Sequence, residues 1–295
     1  PSETPLDSTA VDKPPLSLNA RLIQRIEVAP GLLILQAAPD GWTLPEFRPG
    51  QYTVLGLPGS APRYGATDSE PNGDRENGES GKDKPRDPAK IIRRAYSISS
   101  SSVGRDYLEF YVMLVRSGEL TPRLFALNVG DRLLMGSKIT GMFTLDAVPN
   151  DQHIVLFATG TGLAPYMSMI RSSLAENKHR RVAVVHGAYH SWDLGYRAEL
   201  ATLARVCPHL TYIPLISDPD HEPVPWKGQT GFCQDVWKSR VIDADWGFRP
   251  SKDNTHIFLC GHPGMIQGML ELLTEDGFDP HSRKSPGQIH LEKYW

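Results

Sequence analysis

The sequence has few cysteines, no long apolar run and little net charge, and each absence removes a class of protein. Its three cysteines, Cys207, Cys233 and Cys260, are odd in number and scattered. That excludes a disulfide framework and a cysteine-ligated iron–sulfur cluster, and it suits a reducing, cytoplasmic setting. No stretch reaches the roughly 18 consecutive apolar residues that a spanning helix needs. Thirty-one basic and 34 acidic residues leave a formal charge of −3, which carries no nucleic-acid signal. The histidines show no metal-ligand spacing, so no metal is expected. Nothing from Pro1 to Asn19 resembles a signal peptide.

What is present describes a globular chain: 295 residues, 40% hydrophobic and 22% charged, enough for two domains. Residues 1–17 are rich in Pro, Ser, Thr and charge and read as a flexible arm. From 18 to 147 short apolar runs alternate with Gly and Pro turns. Leu32–Leu35, Tyr52–Leu55 and Tyr107–Val115 read as strands, with Leu108, Phe110, Val112 and Leu114 on one buried face. A stretch over 59–90 has almost nothing to bury and reads as an exposed insertion. Thr121 followed by Pro122 predicts an N-capped helix running to Leu127. Many short strands and one short helix imply a β-barrel or a sandwich.

The pattern changes at 148. His153–Ala158, Val182–His186, Leu210–Ile216 and Thr255–Cys260 are apolar runs of the kind buried in parallel sheets. Helices are expected between them: after Pro165 to about Ala175, from an N-cap at Asp193, near Thr230, and over Met265–Glu275. Strand–helix alternation over 148–295 predicts a doubly wound α/β domain. The fold class is therefore α+β, a barrel or sandwich followed by a parallel-sheet domain.

Several stretches carry chemistry. Arg93-Arg94-Ala95-Tyr96-Ser97-Ile98-Ser99-Ser100 packs a guanidinium, an aromatic ring and a hydroxyl into four positions. On a strand, Arg94 and Tyr96 share a face opposite Ser97. Those groups suit a planar ligand bearing phosphates. They equally describe a polar strand edge entering a Ser-rich turn. Gly160-Thr161-Gly162 joins a buried strand to a helix, where phosphates meet backbone N–H groups. It lacks the third glycine of the common pattern, and a tight turn explains it equally well. Cys260 ends a parallel strand at the usual ligand edge, although burial alone accounts for a cysteine there more readily. Tyr294 and Trp295 give the chain an aromatic end that must stack on something, a ligand or its own core.

Taken together, these pieces resemble the ferredoxin–NADP reductase family, in its compact bacterial form, over about residues 18–295. The resemblance rests on Arg94-Ala95-Tyr96-Ser97, Gly118-Glu119-Leu120-Thr121, Gly160-Thr161-Gly162-Leu163-Ala164-Pro165, Cys260-Gly261-His262-Pro263-Gly264-Met265 and Glu292-Lys293-Tyr294-Trp295, in that order. It implies an antiparallel FAD-binding β-barrel over 18–147 and a nicotinamide-nucleotide domain over 148–295. It implies that Arg94, Gly118, Leu120 and Thr121 hold the FAD pyrophosphate, and that Tyr96, Ser97 and Ile98 hold the flavin. Gly160, Thr161 and Gly162 would border both cofactors. Ser97, Cys260, Glu292 and Tyr294 would line the reacting centre, and Trp295 the adenine. The implied reaction is hydride transfer between NADP(H) and FAD, with single electrons exchanged with ferredoxin or flavodoxin. Arg93, Arg116, Arg123, Arg283, Lys284 and Lys293 are the candidate basic face for such acidic partners.

Two departures bear on the nucleotide. Tyr189 and Asp218 stand where bacterial relatives often carry arginines for the NADP 2′-phosphate, which keeps NAD(H) open. The rival readings are an NADH-dependent flavin or oxygenase reductase and a non-catalytic flavin-binding redox sensor. A ring such as Tyr294 lying on the flavin would have to move before nicotinamide stacks. Tyr294→Ser is therefore expected to shift the ratio of kcat/KM for NADPH and NADH; an unchanged ratio refutes the gate.

Overall fold

Gly and Pro cut residues 20–135 into pieces too short for helices, and those pieces form the first sheet. The structure is a computed structural model, which describes residues 18–65, 67–68, 89–173 and 179–293. The strands are β1 (Ala20–Ala29), β2 (Leu32–Pro39), β3 (Tyr52–Pro58), β4 (Ile91–Ser97), β5 (Leu108–Met113) and β6 (Arg132–Met135). They pair antiparallel in the order β4-β3-β6-β1-β2-β5. Beyond β4 the chain bridges Ile98 to Phe110, and the Ser99 N–H donates to the Glu109 carbonyl at 2.8 Å. That contact joins the sheet's two ends into the expected barrel. Its core is sealed by Leu22, Leu33, Leu35, Leu55, Ile98 and Phe110, all without exposed surface. A one-turn helix, α1 (Thr121–Phe125), covers one side with Leu124 and Phe125.

Six parallel strands form the second sheet: β7 (His153–Thr159), β8 (Val182–Ala188), β9 (Leu210–Ile216), β10 (Gln229–Thr230), β11 (Thr255–Cys260) and β12 (Ile289–Glu292). Their order is β10-β9-β8-β7-β11-β12. The order reverses beside β7, so a crevice opens between the ends of β7 and β11. Helices α2 (Ala164–Ser173), α3 (Arg197–Val206), α4 (Cys233–Lys238), α5 (Val241–Trp246) and α6 (Pro263–Glu275) link and cover the strands. Among the described residues no helix is long and apolar enough to cross a membrane. One apolar cluster runs through both sheets' territory, joining Ile34 and Tyr111 of the barrel to Met167, Leu200 and Phe258.

Several expectations are corrected. Thr121 does not cap α1: the N-cap is Leu120, and the Thr121 hydroxyl instead bonds the Val115 N–H and carbonyl at 3.0 and 3.2 Å. The helix stops at Phe125 rather than Leu127. β5 is not buried on one face only, because Glu109 and Tyr111 are 5% and 3% exposed. Their face packs on the second sheet's helices, a partner invisible in local periodicity. Asp193 caps no helix; α3 begins four residues later, after Tyr196 in the left-handed region at φ 60°. Gly195 explains the shift. A Cβ there would lie 2.2 Å from the Tyr111 hydroxyl, so the chain must run close beneath β5 before turning. The helix expected near Thr230 starts at Cys233. The insertion's first residues are docked, with Tyr64 ring-packed on Phe125 and Arg63 donating to the Gly118 carbonyl at 3.0 Å. Most of it, and the arm over 1–17, lie outside the described residues.

Under β12 three histidines pack together. His290 lies flat on Phe258, 4.2 Å between centroids, and its Nε2 is 2.9 Å from His256 Nδ1. His281 stands 4.5 Å from the His290 ring. Burial, reinforced by the neighbouring rings, pulls His290 down to about 3 and His256 to about 4.

Both features are testable. Phe110→Ala should cost about 3–5 kcal/mol in denaturant unfolding, against less than about 0.5 kcal/mol for exposed Met113→Ala. The unfolded chain takes up protons near the ordinary histidine value that the folded rings refuse until about pH 4. Stability should therefore fall as pH drops from about 6.5 to 4, and His290→Phe should flatten that dependence in thermal unfolding.

Candidate functional site

Four strands end at one place. β4 stops at Ser97, β7 at Thr159, β11 at Cys260 and β12 at Glu292. Cys260 is in register with Glu292 on β12 and with Ala158 on β7. The Ser97 hydroxyl reaches across from the barrel to within 3.5 Å of the Glu292 carboxylate. Ser97 is 6% exposed and Cys260 fully buried. The barrel's polar strand and the ligand edge of the parallel sheet are thus one site.

The loop after β7 is fitted to that edge. Gly160–Leu163 forms a single 3-10 turn running straight into α2. A Cβ on Gly162 would sit 2.4 Å from the Cys260 carbonyl oxygen, so only glycine lets the two backbones pass. The Thr159 hydroxyl accepts the His262 N–H at 2.7 Å and ties this loop to the start of α6. Below the loop His186 is fully buried, its Nδ1 3.3 Å from the Tyr212 hydroxyl. Burial lowers it to about 3, partly offset by a backbone contact with Gly160, so the ring stays neutral.

On the barrel side polarity changes along β4. Arg94 projects to solvent and pairs with Glu119 at 2.6 Å. Tyr96 is half-buried and a neutral ring; burial raises its phenol above the ordinary value despite nearby Arg94. Ile98 turns into the barrel core. Gly118 and Leu120 form the loop before α1, and Thr121 holds that loop against Val115. Glu119, which sequence reasoning passed over, lies between Gly118 and Leu120 and is brought to Arg94 only by the fold.

The structure brings together Ser97, Cys260, Glu292 and the Gly160–Gly162 loop, and sets Arg94, Tyr96, Gly118, Leu120 and Thr121 along the adjoining barrel face. Tyr294 and Trp295 lie outside the described residues. Of the candidate basic face, Arg123 is corrected: it is 5% exposed, with its guanidinium turned inward to the Glu119 and Gly59 carbonyls. At the ends of β8 and β9, Asp218 is flanked by His190 at 3.2 Å and His221 at 2.7 Å, and Tyr189 projects into solvent.

Residues 156–271 match the model of the oxidoreductase NAD-binding domain. A flavodoxin/ferredoxin–NADP reductase of Buchnera aphidicola subsp. Baizongia pistaciae is 30% identical over 207 residues, covering 70% of this chain and 82% of that protein. A ferredoxin–NADP reductase A of Sorangium cellulosum is 31% identical, covering 69% and 74%. The crystal structure of a Neisseria gonorrhoeae ferredoxin NADP+ reductase with bound FAD and NADP superposes with a TM-score of 0.73 at 21% identity, over 94% of this chain and 98% of that one. On this likeness of sequence, the chain belongs to the flavodoxin/ferredoxin–NADP reductase family.

Proposed function

We propose that the chain passes hydride between NADP(H) and FAD, and single electrons between FAD and a ferredoxin or flavodoxin. The observation that carries this is the junction at which Ser97, on the barrel, faces Glu292, beside Cys260 on the parallel sheet. A hydroxyl, a thiol and a carboxylate from two domains meet where two flat rings could be stacked.

The residues present fit FAD. A guanidinium at the rim suits a diphosphate, a neutral half-buried phenol ring suits a flat heterocycle, and a small hydroxyl at the strand end suits a ring edge. In this reading residues 18–147 hold FAD and 148–295 the nucleotide. Arg94 would exchange Glu119 for the pyrophosphate, with Gly118, Leu120 and Thr121 alongside. Tyr96 would cover one flavin face, and Tyr294 and Trp295 would stack on the flavin and adenine. When bound, FAD supplies the exchange between two-electron and one-electron steps. The chain's own residues orient and enclose. Gly160, Thr161 and Gly162 would bring the nucleotide against the Cys260 edge. Cys260 would fix the nicotinamide laterally, while Ser97 and Glu292 hold polar atoms at the flavin edge and exclude water. Arg93, Arg116, Arg283, Lys284 and Lys293 remain the proposed steering face for an acidic partner, in the cytoplasm.

NADH as the donor is favoured by one observation. Asp218, held ionised by its hydrogen bond to His221, stands at the end of β9, where the resemblance would put an arginine for the 2′-phosphate. An acidic residue there accepts from a ribose hydroxyl instead.

Purified protein should be yellow with FAD. NADPH should bleach it under anaerobic conditions, and added ferredoxin or flavodoxin should carry the electrons on to cytochrome c. Ser97→Ala and Cys260→Ala should each slow flavin reduction about 10- to 100-fold with FAD retained. Protein that stays colourless in excess FAD, or holds FAD that neither nucleotide reduces, refutes the reading.

A further inference from the structure

Away from the strand ends, the two halves are fastened at one buried charged group. Glu109 on β5 is 5% exposed. Its Oε1 accepts from Arg171 at 2.7 Å, from the Tyr196 hydroxyl at 2.7 Å and from the Ser99 hydroxyl at 3.1 Å. Its Oε2 accepts from Gln36 of β2 at 2.8 Å. Arg171, on α2, uses the rest of its fork on Glu199 of α3, at 2.7 and 2.6 Å, and donates to the Ser99 carbonyl at 2.9 Å. Its guanidinium also lies over the Tyr196 ring, 5.1 Å from the centroid. One residue further, the Ser172 hydroxyl accepts the Ser102 N–H at 2.9 Å. Burial alone would raise the Glu109 pKa, but Arg171 and the bonds from Tyr196 and Gln36 hold it below the usual carboxylate range, so it stays charged.

The elements fastened here are those that carry the site. α2 begins at Ala164, directly after the Gly160–Leu163 turn. Ser99 lies two residues beyond Ser97. Tyr196 is one of two non-glycine residues at positive φ among the described residues, a strained conformation held by its hydroxyl contact to Glu109 and by Gly195 beneath Tyr111. Forked hydrogen bonds fix an angle as well as a distance, which apolar packing does not.

We propose that Glu109, Arg171, Glu199 and Tyr196 form a positioning clasp that sets the spacing and tilt of the nucleotide loop against the flavin strip, without touching either ring. The proposal rests on the hydride-transfer reading above. α2 is a rigid lever of ten residues, about 15 Å long. A small rotation at Arg171 is therefore delivered to Gly162, and a misplacement of about 1 Å can cost on the order of 100-fold in rate.

The test uses the full-length FAD-loaded protein and three shape-conserving variants, Glu109→Gln, Arg171→Lys and Tyr196→Phe. Each should keep its FAD and bind NADP+ within about 3-fold of the parent. Each should lose at least half of the long-wavelength absorbance that stacked nicotinamide and flavin produce, and be reduced by NADPH about 10- to 100-fold more slowly at saturation, with KM little changed. Without nucleotide, amide hydrogen exchange at Thr159–Leu163 should be faster in the variants. Should Glu109→Gln fail to fold, Tyr196→Phe, which removes one hydroxyl and no charge, decides. Variants that melt earlier yet match the parent in absorbance, reduction rate and exchange overturn the clasp and leave the reductase reading standing. A parent protein that no nicotinamide nucleotide reduces overturns both.

Discussion

The barrel closes where Ile98 meets Phe110, and the segment that makes this closure also lies against the parallel-sheet half and starts at the candidate site. Residues 97–102 serve both halves of the molecule. Ile98 is driven into the barrel core, which fixes the phase of the residues around it. Ser97 then falls at the strand end, opposite Glu292. The serines that follow are a set of short hydroxyls, each with a partner. Ser99 donates to Glu109, Ser100 accepts the Glu109 N–H at 3.1 Å, and Ser101 and Ser102 meet Ser172. A buried backbone stretch must pair its polar groups, and small hydroxyls do so without holding the two halves apart.

Burial on both sides follows for β5. A strand in a closed barrel has one face inward; here the other face is roofed by α2 and α3. The charged Glu109 on that outer face is affordable only because four side chains donate to it. At the crevice the constraint is different. There the backbone of Gly162 passes so close to Cys260 that side-chain volume, not charge, limits what can occupy the loop.

Four of the six parallel strands were legible in the sequence; β10 and β12, two and four residues long, were too short to stand out. Leu210–Ile216 and Thr255–Cys260 were readable to the residue, because unbroken apolar runs flanked by turns have few alternatives. Arg94, Tyr96 and Ser97 stood out as candidates for a related reason: three unlike functional groups crowd one strand. The failures share a cause. Thr121 and Asp193 are good caps by local rules, yet Thr121 is taken by Val115, and Asp193 is bypassed because the chain must pass under Tyr111. Glu109, Arg171 and Tyr196 gave no signal, since they are 62 and 87 residues apart along the chain and no periodicity links them. Arg123 looked like a surface cation and is buried by carbonyls no local pattern reveals.

Polarity is graded across the candidate site. At the rim Arg94 is exposed and charged. Further in, Tyr96 is a neutral phenol whose ionisation burial makes harder still, and burial keeps His186, beneath the Gly160–Gly162 loop, neutral. Moving an unpaired charge from the rim to the centre would cost far more than moving a neutral group of equal size. On the proposed reading, a molecule with an anionic tail and a flat uncharged head would sit with its tail outward to Arg94 and its head inward to Ser97 and Cys260. At the junction the Glu292 carboxylate meets the Ser97 hydroxyl, and that contact couples the barrel to the last strand of the sheet.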